Sequence, residues 1–151
     1  MSPQTANQND PQANIEQRIL TMRILWFSML MSIVIYYVIT MFVKRSEDLA
    51  ENPSLSLFLL GAGVSTTLVS FLIKAKLLTK AVEQRNVGMV QQAYILTWAI
   101  TEVAALLGLL DFFSTSHRHY YLLFLIAACG MLLHFPGREP VENAAFKSSV
   151  M

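Results

Sequence analysis

The chain has 151 residues, of which 54% are hydrophobic and 14% charged, with a formal net charge of +1. A soluble domain carries about a quarter charged residues, so this deficit, with a mean hydropathy of +0.47, points to the bilayer. The near-neutral charge excludes a nucleic-acid binder acting through bulk electrostatics, and a lone cysteine, Cys129, excludes an intrachain disulfide.

In chain order, the first segment is a polar tail over residues 1–17. Its opening stretch, MSPQTANQNDPQAN, is rich in Gln, Asn and Pro and has no aromatic residue, so it is expected to be disordered. The first apolar run, 24–43, has no formal charge between Arg23 and Lys44-Arg45. It is too long for the core of a signal peptide and no small-residue cleavage site follows it, which predicts an uncleaved signal anchor. The second run, 54–73, stops at Lys74, after which Leu77, Leu78, Ala81 and Val82 keep a helical rhythm. This predicts a helical extension beyond the membrane, broken near 86–88. The third run, 93–113, contains two acids, Glu102 and Asp111, and the fourth, 120–135, ends at Pro136-Gly137.

A helix needs roughly 20 residues to cross ~30 Å of hydrocarbon. Three runs meet that length. The fourth has sixteen residues and must borrow from 116–119 or thin the bilayer locally. The expected architecture is an all-α, four-span transmembrane bundle of two helical hairpins over 18–137, followed by a short tail, 138–151.

Basic residues set the orientation. The N-terminal tail, the 74–92 loop and the C-terminal tail hold Arg18, Arg23, Lys74, Lys76, Lys80, Arg85, Arg138 and Lys147, eight in all, against Lys44, Arg45 and Arg118 in the other loops. Both termini are therefore expected in the cytoplasm, with the acidic run Glu47-Asp48 and Glu51 outside. The compartment this implies is a prokaryotic inner (plasma) membrane.

Glu102 is the most informative position, because it falls at the midpoint of the third span. An ionised acid there costs about 3 kcal/mol, and low-dielectric surroundings favour the neutral, proton-carrying form of a carboxyl. Such a group can bind a proton or a small cation. It can also hold a bundle together as a hydrogen-bonding group. In the second span, Ser65, Thr66 and Thr67 lie at the same depth, and Thr101 adjoins Glu102; these four are the expected companions of the carboxyl. Asp111 stands nine residues on, about 180° round the helix, so the two acids form no dyad. It is expected at the outer boundary, paired with Arg118. His117 and His119 are expected as solvated loop residues, His134 as an interfacial residue and Cys129 as a packing residue.

The segment Val82-Glu83-Gln84-Arg85-Asn86 through Ile100-Thr101-Glu102-Val103-Ala104 resembles the hairpin of rotor-ring proteolipids, the c subunit of rotary ATP synthases. There a polar cytoplasmic loop with Arg-Asn or Arg-Gln joins a small-residue-rich helix to one bearing a mid-membrane carboxylate. The likeness covers residues 54–113 and implies a proton- or sodium-binding carboxyl at Glu102. This chain departs from the pattern in having only Gly61 and Gly63 in the first helix of the hairpin, and in carrying two further helices.

Two functions remain open on the sequence. One is a small oligomeric membrane protein that binds a proton or cation at Glu102 in transport or coupling. The other is a non-catalytic assembly or accessory subunit, in which Glu102 bonds to a partner helix. The expected partners are the lipid bilayer and either further copies or the helices of a membrane complex. No GxSxG, HExxH or phosphate-binding glycine loop is present, so neither an enzyme nor a cofactor is expected.

Overall fold

The computed structural model describes residues 11–44, 52–115 and 119–146. They form five helices: α1 (Pro11–Phe42), α2 (Pro53–Glu83), α3 (Val87–Ser114), α4 (Tyr121–Leu133) and α5 (Glu139–Phe146). The described residues contain no strand. Three helices, α1 to α3, are long and apolar enough to cross a membrane.

The fourth expected span is different. α4 has 13 residues, about 20 Å of rise, and falls some 10 Å short of the hydrocarbon thickness. Its chain nevertheless runs back along the whole of α3. Tyr120 packs its ring on Phe112 at one end of the bundle, and the backbone N–H of Gly137 donates to Tyr94 Oη at 3.4 Å near the other. Non-helical backbone inside a membrane is tolerated only where protein satisfies it. Here the indole of Trp26 donates to Met131 O at 2.8 Å and that of Trp98 to His134 O at 3.0 Å. Two tryptophans from two other helices thus satisfy carbonyls at the end of α4.

α3 is the hub, packing against α1, α2, α4 and α5, while no Cα of α1 comes within 8 Å of one in α2 among the described residues. Glycines set the close approaches. A Cβ on Gly130 would lie 2.8 Å from Thr67 Cγ2 and 2.9 Å from Thr101 Cγ2, and one on Gly108 would lie 3.0 Å from Leu123 Cβ. α4 therefore sits in the groove between α2 and α3 with no room for a methyl group.

The tails depart from expectation. Residues 11–17, expected in a disordered segment, already belong to α1, and most of the expected C-terminal tail is α5. Ile15, Ile19 and Met22 of α1, Ala81 of α2, Val90 of α3 and Val141 and Ala144 of α5 are buried together in the core. An apolar face on each helix end is what closes this base. Arg138 lies 3.5 Å from Glu16, so the start of α1 and the start of α5 meet at one end of the bundle, called basal below. The opposite, apical end is formed by Phe42, Pro53 and Ser114. The α2 extension runs to Glu83, and the turn to α3 places Arg85 at φ 50°, with the Asn86 side chain capping Met89 N.

Candidate functional site

Glu102, Asp111 and His134 each have their own hydroxyl partners, at different depths among the helices. Glu102 is half-buried at mid-length of α3. Its Oε1 receives the Ser32 hydroxyl at 2.5 Å and the Tyr36 hydroxyl at 3.0 Å. Both donors sit on α1, one turn apart. Ser32 Oγ also lies 2.7 Å from the carbonyl of Met29.

The expected companions on α2 are elsewhere. Ser65 donates to Gly61 O, Thr66 to Gly63 O and Thr67 to Gly63 O, each hydroxyl turned back on its own helix. Thr101 bonds to Thr97 O at 2.9 Å and reaches Ser70 Oγ at 3.3 Å. Depth matched, but direction did not. The α2-facing side of α3 carries Thr101, and Ala104, which is 3.7 Å from a Cβ built on Gly63; Glu102 lies one position on, about 100° round the helix, and meets α1 instead.

Sequence reading missed Ser32 and Tyr36. A signal for them exists. Ser28, Ser32 and Tyr36 stand at i, i+4 and i+8 in an otherwise apolar span, and Ser32 lies beside that span's midpoint.

His134 is fully buried, not interfacial. It stacks on Phe71 with ring centroids 4.2 Å apart, and its Nε2 lies 2.8 Å from Ser70 Oγ. Its Nδ1 is buried without a hydrogen-bond partner. Ser70 in turn reaches Thr67 O at 2.6 Å, so a chain of hydroxyls links α2, α3 and the end of α4. These short contacts seal the interface and leave the imidazole little freedom.

Asp111 is 1% exposed and bonded on both sides, by Ser56 at 2.9 Å and by Thr115 at 2.8 Å. Its expected place at the outer boundary is thus a buried one. A cavity of about 240 Å³ opens beside it, lined also by Pro53, His119 and Leu123. Its expected partner Arg118, like His117, lies outside the described residues. Cys129 is exposed on the apolar flank of α4.

Among the described residues no group of three or more His, Cys, Asp or Glu is placed to hold a metal ion. At the basal end, Asn14, Gln17, Arg18 and Thr21 of α1 and Gln91 of α3 line a polar cavity of about 270 Å³. No protein family, curated protein or solved structure matches the chain.

Proposed function

We propose that this chain is a small multi-pass integral membrane protein whose mid-bundle carboxyl, Glu102, binds a proton or small cation in transport or coupling. The observation that carries the reading is the pair of hydroxyls, from Ser32 and Tyr36, converging on one oxygen of a carboxyl that is still half-exposed at the flank of the bundle. Intramembrane carboxyls of this kind mark proton and ion pathways. A purely structural acid is better bonded through both oxygens, as Asp111 is.

In this reading the chain crosses four times, α4 completing its passage through the stretch 134–138, of which His134 and Pro136 are buried, with the basal end in the cytoplasm of a prokaryotic inner membrane. The meeting of Glu16 and Arg138 supports a common side for both ends, and the excess of basic residues supports that side being cytoplasmic. The hairpin of α2 and α3, with Arg85-Asn86 at its turn and Glu102 in its second helix, supports a likeness to the rotor-ring proteolipids. The protein acts without catalysis, as an oligomer or beside the helices of a membrane complex.

A second reading, an assembly or accessory subunit, is favoured by the same bonds, because Ser32 and Tyr36 already tie α1 to α3 through Glu102. A lipid-soluble carbodiimide separates the two. It attacks protonated carboxyls, so an ion-handling Glu102 reacts ahead of Asp111, and less as pH rises. A Glu102→Gln variant that behaves in every assay like the wild type, with no carbodiimide reaction at Glu102 in the parent, supports the structural role instead.

A further inference from the structure

We propose that the ligand of Glu102 is a proton rather than a metal cation, and that it is exchanged with the basal side through a polar seam between α1 and α3. The inference rests on the proposed role of Glu102 and names its ligand and its route.

Hydroxyl bookkeeping supports the proton. Ser32 has one hydroxyl proton and two oxygens within reach, Glu102 Oε1 and the carbonyl of Met29. A carbonyl can only accept. When Ser32 donates to Met29, its contact with Glu102 is a hydrogen bond only if the carboxyl supplies a proton. Tyr36 then donates to the same oxygen. A neutral acid thus completes every bond in the cluster. A metal cation is served poorly, since one carboxyl and two hydroxyls give fewer oxygens than the roughly six that a hard cation gathers. Tyr36 is the one titratable group bonded to Glu102 among the described residues.

The route is written on α1. Its buried stripe runs through Ile15, Ile19, Met22 and Ile33. One position before it, about 100° round the helix, a second stripe carries Arg18, Thr21, Leu25, Ser28, Ser32 and Tyr36, polar at every turn but one. The α3 side matches, because Gln91 and Glu102 are eleven residues apart, close to three full turns, and share a face. The stripe begins at the 270 Å³ polar cavity of Gln17, Arg18, Thr21 and Gln91. It continues to Ser28, exposed on the flank, about 10 Å farther in, and reaches Ser32 after about 6 Å more. A guanidinium at the mouth also repels metal cations.

Beyond Glu102 the seam changes character. Its apical half presents Ile39 and Val43 of α1 and Leu106 and Phe113 of α3, and Thr40 turns its hydroxyl back to Tyr37 O. Hydroxyls can order water on one side only.

The test uses the full chain in sealed vesicles of both orientations, with Cys129→Ser to remove the exposed native thiol. A charged thiol reagent should label Thr21→Cys and Ser28→Cys from the basal side. Ser28→Cys should react about tenfold faster than the lipid-facing Met31→Cys or Ile35→Cys, because the reacting thiolate forms in water. In the same vesicles carrying native Glu102, carbodiimide labelling should fall as pH rises and be unchanged when sodium replaces choline. Sodium protection overturns the proton assignment. Labelling of Ser28→Cys no faster than Met31→Cys, or from the apical side, overturns the route while leaving the carboxyl's role standing. Absence of carbodiimide reaction at Glu102 at every pH overturns that role and the route with it.

Discussion

Ser32 and Glu102, seventy residues apart in the chain, lie 2.5 Å apart through Oγ and Oε1 and join α1 to α3 at mid-bundle. The bond matters because α1 has little else that is polar holding it there. Most of its membrane-spanning length is exposed, with Ile24, Phe27, Ile35 and Met41 each more than half accessible. These side chains face lipid, which is as apolar as they are, so they provide no drive for α1 to dock. Packing of Ile33, Tyr37 and Trp26, and the hydroxyls on Glu102, supply it.

The energetic weight of that bond is measurable by a double-mutant cycle on unfolding in mixed micelles. Ser32→Ala, Glu102→Leu and the double variant should show a coupling of about 0.5–1.5 kcal/mol, the range found for hydrogen bonds between membrane helices. Tyr36→Phe, which removes the longer 3.0 Å bond, should couple more weakly. Strict additivity of Ser32→Ala and Glu102→Leu would remove the contact.

Cysteine pairs test the direction in which Glu102 points. A short bifunctional thiol reagent should join Ser32→Cys to Glu102→Cys, and Tyr36→Cys to Glu102→Cys, in a Cys129→Ser background. It should leave Thr66→Cys and Thr67→Cys unjoined to Glu102→Cys. The opposite pattern restores α2 as the partner helix.

That contrast shows what the sequence could carry. Depth can be counted along an apolar run, and the counting placed Glu102, Ser65, Thr66 and Thr67 at one level. Azimuth could not be counted. In a soluble helix the apolar stripe marks the inward face, but here lipid and protein both accept apolar residues, so the apolar residues of α1 do not tell its lipid side from its protein side. The three long helices, the α2 extension and the turn at Asn86 were legible from length, charge and capping. The shortness of α4 was half legible in its sixteen apolar residues. The donors to its last carbonyls, Trp26 and Trp98, were not, because a tryptophan near a membrane boundary reads equally as a lipid anchor.

The glycines give a packing test with an internal control. Gly130→Ala places a methyl 2.8 Å from Thr67 Cγ2 and 2.9 Å from Thr101 Cγ2. Both neighbours are β-branched, and each bonds its own helix, so neither can swing away. The substitution should destabilise the fold by about 1–3 kcal/mol. Gly61→Ala has nothing within 4 Å and should be neutral or slightly stabilising, since alanine is the better helix former. Equal behaviour of the two variants in detergent unfolding would mean that α4 is not seated between α2 and α3.

Trp98 decides whether α4 can end where it does. Its indole donates to the carbonyl of His134 at 3.0 Å, and both residues are fully buried. Trp98→Phe keeps an aromatic ring against Tyr94, whose centroid lies 5.7 Å away, but removes the donor. The carbonyl is then buried without the indole partner, a loss of about 1–3 kcal/mol, plus a further packing loss from the smaller ring. Trp26→Phe removes the matching bond to Met131 O. Trp26 is partly exposed and edge-on to Phe135, so water or a lipid headgroup can replace its N–H, and its loss should be smaller. Hydrogen exchange at the end of α4 provides a readout that overall stability does not. His134 N–H bonds to Gly130 O and Met131 O, and its protection should fall in Trp98→Phe more than in Trp26→Phe. Unchanged protection in Trp98→Phe would show that α4 ends without help from the indole.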